Sequence, residues 1–284
     1  MSKPQGFRPT KAVTLEDESD LRREIPYIPP MLIAIDIGNT NIKVGLFSGD
    51  KLKDVLRLAT RRDLTADELG IAISDWLGRM KVTGEQIEDA TVASVVPSIN
   101  DEVTQTCQRY LGCAPTFVSS DLKLPIKLTV DNPSQVGADR IANAVAGFTK
   151  FGGPVIVVDF GTATKFEVVD ATGSHLGGVI APGIETSMAE LARRAAKLSE
   201  VKIEPPSQVI GKNTIDSMKS GAFWGTIGQV DFLIDQILAE AGWSKATVVA
   251  TGGLVSGLEQ HSRHIKLIEP NLTLLGLRII SQSQ

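Results

Sequence analysis

The sequence is poor in cysteine and histidine. Its 284 residues include two cysteines, Cys107 and Cys113, and three histidines, His175, His261 and His264. Two cysteines fit neither a disulfide framework nor a zinc site, and the histidines have no carboxylate or cysteine at metal-ligand spacing. We therefore expect a protein of the reducing cytoplasm, with its histidines in surface or helix-capping roles.

Long apolar runs and long basic runs are also missing. No apolar stretch approaches the roughly 20 residues that a membrane-spanning helix needs, and the N-terminus lacks the apolar core of a secretory signal. The net charge is −4, and the basic clusters, Arg61 with Arg62 and Arg193 with Arg194, are short. These features argue against a membrane or a nucleic-acid partner and agree with a soluble enzyme of two lobes.

Residues 1–30 differ from the rest of the chain. They carry mixed charge, five prolines and no sustained hydrophobic period, and they stop just before Met31, where a regular pattern begins. We expect residues 1–30 to form a flexible N-terminal extension, with a packing or regulatory arm as the alternative. Met31 is itself a candidate for the native start of the protein.

The sequence does contain one turn that is used twice. The segment MLIAIDIGNTNIKVGLF, residues 31–47, places Asp36 and small polar residues between two strand-like runs. The segment PVIVVDFGTATKFEVVD, residues 154–170, places Asp159 in the same position. A plain tight turn would explain either segment alone, since Gly and Asn tolerate positive φ. The repetition instead predicts two similarly built lobes whose turns face each other across a cleft.

Such a cleft suits a polyphosphate ligand. Small side chains allow backbone N–H groups to approach phosphate oxygens, and the hydroxyls of Thr40, Thr162 and Thr164 add donors. A carboxylate at the end of a strand can hold a hydrated magnesium ion. Asp36 and Asp159 are the candidates for that carboxylate.

Helical patterns lie between and after these turns. Leu69, Ile73 and Trp76 share one face of a helix predicted near residues 65–80, which precedes a strand predicted at 91–96. The segment VGADRIANAVAGFTK predicts a helix that begins near Asp139 and Arg140. An acid in the first turn also complements the helix dipole, so this pair has a structural explanation as well as a functional one.

The C-terminal third adds two glycine-rich signals. Residues 211–241 predict two helical stretches that meet near residues 221–228, where small side chains would permit close helix packing or a subunit contact. The segment ATVVATGGL reads as a strand that ends at Gly252 and Gly253. These two glycines permit close backbone approach to a nucleotide, although a tight turn would also explain them.

Taken in order, these motifs resemble those of the type III pantothenate kinases, within the superfamily of acetate and sugar kinases, heat-shock chaperones and actin. DIGNTN resembles the first phosphate motif of that family, DFGTAT the second, GADR the pantothenate motif, GGVIAPG the glycine-rich segment, GKNT and SGAFWG the dimer-side region, and TGG the nucleotide end. The resemblance runs from Met31 to about Ile280. Each motif is weak alone, but this order of motifs is highly specific.

The resemblance implies an α/β fold of two duplicated ribonuclease H-like lobes, as in actin-like ATPases, with a cleft between them. Residues 31–150 would form the N-terminal lobe and residues 151–284 the C-terminal lobe. The implied activity is phosphorylation of pantothenate by ATP to 4′-phosphopantothenate, the first step of coenzyme A biosynthesis. A homodimer, Mg²⁺ and a monovalent cation (K⁺ or NH₄⁺) are implied with it.

The same resemblance implies roles for individual residues. Asp36 would handle magnesium and the transferring phosphate, and Asp159 would help to seat the monovalent cation. Asp139 would be the general base for the 4′-hydroxyl, and Arg140 would bind the pantothenate carboxylate or a neighbouring polar group. The other implied site residues are Gly38, Asn39, Thr40, Gly161, Thr162 and Gly252 for ATP, and Gly137 and Thr214 for pantothenate, the last across the dimer interface.

Three positions depart from the pattern that is common in the family. Lys165 stands where the second phosphate motif usually has Thr, Glu167 where it usually has Asp, and Val130 where many relatives have an aromatic residue. Lys165 could contact ATP phosphates or substitute electrostatically for the monovalent cation, or strand alternation could point it to solvent. Val130 leaves open a different substrate pocket.

Two other functions stay open. A catalytically silent paralogue would keep the fold and bind a nucleotide or a partner for regulation, which the altered second motif favours. The intact Asp36, Asp139, Arg140 and Asp159 argue against it, because buried charges are costly without their ligands. A kinase for another small alcohol, such as a sugar, is disfavoured by the pantothenate motif in its expected place.

Overall fold

The computed structural model describes residues 31–194, 202–254 and 257–284. The expected N-terminal extension, residues 1–30, lies outside the described residues. Within these ranges the chain forms strands and helices arranged around two sheets. No helix in this described part is long and apolar enough to cross a membrane.

The first sheet consists of β1 (Met31–Ile37), β2 (Asn41–Ser48), β3 (Lys51–Ala59), β4 (Ile87–Ser94) and β5 (Pro115–Phe117). Its strand order is β3-β2-β1-β4-β5. The strands β1 and β2 pair antiparallel, which confirms the predicted hairpin, and β4 lies parallel to β1 on its other side. β4 begins earlier in the chain than the predicted 91–96.

The second sheet consists of β6 (Lys127–Leu128), β7 (Val155–Phe160), β8 (Ala163–Val169), β9 (Ser174–Pro182), β10 (Thr247–Thr251) and β11 (Leu267–Ile268). Its strand order is β11-β10-β7-β8-β9-β6. The strands β7, β8 and β9 are antiparallel neighbours, and β10 lies parallel to β7.

The two sheets repeat one topology. In each, three consecutive antiparallel strands are followed by a parallel strand that pairs with the first of the three. The repeat extends to single residues, because Asp36 faces Lys43 across β1 and β2 and Asp159 faces Lys165 across β7 and β8. This duplication confirms the expected α/β architecture of two similarly built lobes.

The α-helices are α1 (Ala66–Arg79), α2 (Asn100–Thr106), α3 (Ala138–Phe151), α4 (Ile184–Arg194), α5 (Thr214–Glu240) and α6 (Leu272–Ser281). The helices predicted near residues 65–80 and from Asp139 onward are confirmed. Thr65 and Glu68 form a reciprocal capping box at the start of α1, which satisfies two backbone N–H groups.

The prediction of two helical stretches that meet near residues 221–228 is wrong, because α5 is continuous over 27 residues. Phe223 and Ile227, which lie between the glycines, and Ile234, which lies beyond them, are buried together in the core of the second lobe. A glycine in a helix interior costs only about 1 kcal/mol relative to alanine. The burial of one helix face therefore outweighs the low helix propensity of the glycines.

Two helices join the lobes. The helix α3 packs against β7, β8 and α6, and α6 in turn packs against β1 and β4. Their backbones approach closely, since a Cβ added at Gly276 would lie 2.0 Å from the Ala142 carbonyl oxygen. The contacts do not follow the expected division along the chain, since β6 pairs with β9, α3 packs against β7 and β8, and α6 contacts the first sheet. The division at residues 150 and 151 stays a prediction.

Candidate active site

A cavity of about 690 Å³ lies between the two lobes. It is lined by both repeated turns and by the start of α3, which confirms that the turns face each other across a cleft. Thr214, the first residue of α5, does not line it. The predicted site residues that do line it are Asp36, Gly38, Asn39, Thr40, Gly137, Asp139, Arg140, Asp159, Gly161, Thr162 and Gly252.

The two turns touch across the cleft. The hydroxyl oxygens of Thr40 and Thr162 are 3.1 Å apart, within hydrogen-bond distance. Glycine is required beside them at Gly252, which has φ of +100° and where a Cβ would lie 2.4 Å from the Phe160 carbonyl oxygen. The backbone therefore forms part of the cavity wall, as a site for phosphate oxygens needs.

Asp36 is a half-buried carboxyl group at the end of β1. Burial is the main cause that raises its pKa, to about 7. The facing Lys43 opposes this rise, and the carboxylates of Asp139 and Asp159 add to it. A further cation beside Asp36 would stabilise its ionised form, which is the electrostatic property of a metal-binding carboxylate.

Lys165 lies in the cleft and not in solvent. Its Nζ is 2.5 Å from Oδ2 of Asp139 and 2.9 Å from Oδ2 of Asp159, and its side chain is 17% exposed. Burial lowers the pKa of Lys165, but the carboxylates of Asp159 and Asp139 more than offset this and hold the pKa above its ordinary value. The side chain is therefore an ammonium ion that joins the carboxylates of Asp139 and Asp159.

A second ion pair lies next to the first. The Nε and Nη2 atoms of Arg140 donate to Oε1 and Oε2 of Glu167 at 2.6 and 2.9 Å. Glu167 is 1% exposed and also lies 2.8 Å from Nε2 of His175. The bidentate geometry and burial make this a fixed pair, so Glu167 holds the guanidinium of Arg140 at the cavity wall.

The predicted surface or capping role of His175 is wrong, because its side chain is fully buried against Glu167. Only the fold reveals this, since β9 brings His175 beside β8. His261 packs edge-on against two aromatic rings of α5, and His264 is 2.7 Å from Asp235. These two contacts are structural and lie away from the carboxylates of the cavity.

Sequence reasoning missed Lys43, Arg57 and Thr273, which also line the cavity. A signal for Lys43 was present, because antiparallel pairing of the predicted hairpin places it opposite Asp36. Thr273 had no local signal, since it comes from the last helix. Its Oγ1 donates to Oδ1 of Asn143 at 2.8 Å.

A second cavity, of about 570 Å³, adjoins the first. Glu185, Gly253 and Leu254 line both cavities. Much of the remaining wall is apolar and includes Phe223 and Leu258. The two cavities together suit a ligand with one highly charged end and one flat, less polar end.

Comparisons with known proteins agree with this geometry. Residues 32–236 match the family model described as type III pantothenate kinase. The chain is 41% identical over 254 residues to a type III pantothenate kinase from Agathobacter rectalis, with 89% of this chain and 98% of that protein covered. It is 44% identical over 250 residues to one from Moorella thermoacetica, with 88% and 98% covered.

Solved structures share the two-lobed α/β fold. Component A of (R)-2-hydroxyglutaryl-CoA dehydratase from Acidaminococcus fermentans superposes with a TM-score of 0.53 at 16% identity. That comparison covers 89% of this chain and 98% of the other, and at this identity it shows the fold alone. The family match and the relatives above 40% identity show more: the chain belongs to the type III pantothenate kinase family.

Proposed function

We propose that the protein transfers the γ-phosphoryl group of ATP to the 4′-hydroxyl of pantothenate, the first step of coenzyme A biosynthesis. Family membership over most of the chain supports this reaction. The observation that carries the proposal is the Asp139 carboxylate in the same cavity as both repeated turns. One cavity then contains a base for an alcohol and donors for a polyphosphate.

ATP would lie with its phosphates between the turns and its base in the adjoining apolar cavity. The hydroxyls of Thr40 and Thr162 and the backbone near Gly38, Gly161 and Gly252 would contact the phosphates. Positioning and charge neutralisation supply most of the catalysis in phosphoryl transfer. The wall of small residues would position the phosphates, and the basic side chains of the cleft would neutralise their charge.

Magnesium fits the donor set around Asp36. The carboxyl group has a pKa raised by burial, so its ionised form gains from a neighbouring cation. The described residues contain no group of three or more His, Cys, Asp or Glu side chains that could hold a metal ion alone. Mg²⁺ in kinases needs no such group, because one or two carboxylates, substrate phosphates and water complete its shell. When bound, it would neutralise phosphate charge.

Asp139 would accept the proton of the 4′-hydroxyl as that oxygen attacks the γ-phosphorus and ADP leaves. Its Oδ1 accepts a 2.9 Å hydrogen bond from the Arg140 backbone N–H, and its Oδ2 accepts one from Lys165. Each carboxylate oxygen keeps a second lone pair for the substrate. The two bonds orient the base without consuming it.

Arg140 would bind the carboxylate of pantothenate. Its pair with Glu167 uses two of the five N–H donors of the guanidinium, and the group lines the cavity. Gly137 precedes it at the start of α3, where a Cβ would lie 2.7 Å from Oδ1 of Asp139. A larger residue there would displace the base, so Gly137 would keep this corner open for substrate.

A monovalent cation does not fit the residues present. The resemblance implies such an ion beside Asp159, but the carboxylate of Asp159 is already paired with Lys165 at 2.9 Å. No step of the proposed mechanism uses this ion. Among the described residues, Oδ2 of Asp159 faces the Lys165 ammonium, a positive charge that the family's usual Thr would not supply.

The proposed assembly is a homodimer in the cytoplasm. Apolar side chains on α5 support a subunit contact, since Ile215 is 49% and Phe232 is 60% exposed. Thr214 lies beside Ile215 and outside the cavity of its own chain, so it would contact pantothenate in the partner's cleft. Light scattering at micromolar concentration tests the assembly, and a monomer would contradict the shared site.

The reaction is tested by mass spectrometry of product formed from pantothenate and Mg-ATP. We expect 4′-phosphopantothenate, and a loss of about 100-fold or more in Asp139→Asn, the usual size of general-base catalysis. Asp121→Asn, at an exposed acid, is the matched control. A panel of alcohols that includes sugars tests the acceptor. Folded protein that binds ATP but phosphorylates no alcohol would instead indicate a catalytically silent paralogue.

A further inference from the structure

We propose that Lys165 is a built-in cation of the phosphoryl-transfer site, which takes the place of a monovalent ion beside Asp159 and makes the reaction independent of K⁺ and NH₄⁺. The inference rests on the proposed function. Its basis is one ammonium group within 2.5 Å of Asp139 and 2.9 Å of Asp159, at the wall of the cleft.

The register of the second sheet supports this role. Lys165 stands opposite Asp159 across β7 and β8, as Lys43 stands opposite Asp36 across β1 and β2. Directly opposed residues of an antiparallel pair project from the same face. The second lobe therefore repeats the acid and the lysine of the first lobe, and each lysine projects with its acid toward the cleft.

Charge in the cleft explains why a cation is needed there. Asp139 and Asp159 both lie within hydrogen-bond distance of one nitrogen atom, so without a positive charge between them the two carboxylates would repel each other. An incoming polyphosphate would add to this repulsion. A lysine ammonium supplies the charge permanently. A dissolved ion supplies it only in the fraction of molecules that have bound the ion, and this fraction depends on the ion's concentration.

Glu167 keeps the lysine available for this task. Lys165 and Glu167 are alternate residues of β8 and so share a face, while Asp139 and Arg140 are consecutive at the start of α3. The bidentate bond to Glu167 engages the Nε and Nη2 atoms of Arg140, while the carboxylates of Asp139 and Asp159 pair with Lys165. Glu167 is thus a positioning residue, and the two departures from the family pattern form one arrangement of two adjacent ion pairs.

Activity in different salts is the first test. Product formation would be measured with Tris-ATP in choline chloride, KCl or NH₄Cl at constant ionic strength. The wild type should change less than twofold among the salts. Lys165→Thr should be at least tenfold more active in KCl or NH₄Cl than in choline chloride, and Lys165→Arg should keep the wild-type independence. Lys245→Thr, at an exposed lysine, is the matched control.

Thermal unfolding gives a readout that does not need activity. KCl should stabilise Lys165→Thr relative to choline chloride, because K⁺ binds between the unpaired carboxylates, and should not stabilise the wild type specifically. A wild type that needs K⁺ for activity or is specifically stabilised by it would overturn the proposal, even if the variant does not fold. A lack of product from every protein in every salt would refute the kinase function, and the unfolding data would still decide the role of Lys165.

Discussion

Replacing Asp36 by asparagine tests how much the ionised Asp36 carboxylate destabilises the folded protein. Burial raises the pKa of Asp36 from 3.8 to about 7 in the folded chain. Between pH 3.8 and about pH 7, Asp36 keeps a proton in the folded protein that it has released in the unfolded chain. The free energy of unfolding therefore falls as the pH rises through this range. The cost of ionising Asp36 in the folded chain is absent below about pH 4 and complete above about pH 7. The pKa rises by about 3, and each pH unit corresponds to 1.36 kcal/mol. The loss of unfolding free energy caused by ionising Asp36 is therefore at most about 4 kcal/mol.

The assay is denaturant unfolding of metal-free protein, followed by tryptophan fluorescence at about pH 4, 6 and 8. Asparagine is nearly isosteric but cannot ionise. The advantage of Asp36→Asn over the wild type should therefore grow by about 2–4 kcal/mol between the lowest and highest pH, allowing for partial solvation of the half-buried group. Asp121→Asn, at an exposed acid, serves as the control. A difference between Asp36→Asn and wild type that stays constant with pH would refute the reasoning.

The remaining predictions concern neighbouring contacts. Glu167→Gln should lower the free energy of unfolding by about 3 kcal/mol, because it leaves the charge of Arg140 without its buried partner; thermal unfolding measures this. Gly252→Ala should weaken ATP binding by at least about tenfold, as measured by calorimetry, because φ of +100° and the Phe160 carbonyl oxygen both oppose a Cβ. Gly228→Ala is the control and should not weaken binding, because no atom lies within 4 Å of the added Cβ. Thr40→Val should raise KM for ATP while costing only about 1 kcal/mol of stability, since one hydrogen bond between the lobes is lost.

The repeated turns could be predicted because their signals are local. An apolar run, an acid and a set of small polar residues define each hairpin, and antiparallel pairing then places both turns at equivalent points of two sheets. The same pattern appears at Asp36 and at Asp159, which is why two lobes and a cleft follow from one sequence. Helices with a regular apolar face, such as α1 and α3, could be predicted for the same reason.

Features that depend on distant contacts could not be predicted. Strand alternation alone leaves Lys165 free to face solvent or the cleft, and it does not reveal that the packing of α3 against β8 brings Asp139 to the Lys165 ammonium. His175 is buried because β9 pairs with β8, a contact that residue spacing does not specify. In α5, glycines weaken the local helix signal while the buried face of Phe223 and Ile227 preserves the helix. In α5 tertiary packing overrode local helix propensity, and at Lys165 and His175 it supplied contacts that the local pattern does not specify.

The pair at the start of α3 shows how a structural and a functional explanation can both apply to one side chain. An acid in the first helical turn can satisfy a free backbone N–H, and Oδ1 of Asp139 does this for Arg140 at 2.9 Å. Oδ2 of the same carboxylate contacts Lys165 in the cleft at 2.5 Å. The helix start thus fixes the rotation of the carboxyl group, and that rotation directs its second oxygen into the cavity. The structural role of Asp139 is therefore what orients it for the proposed chemistry.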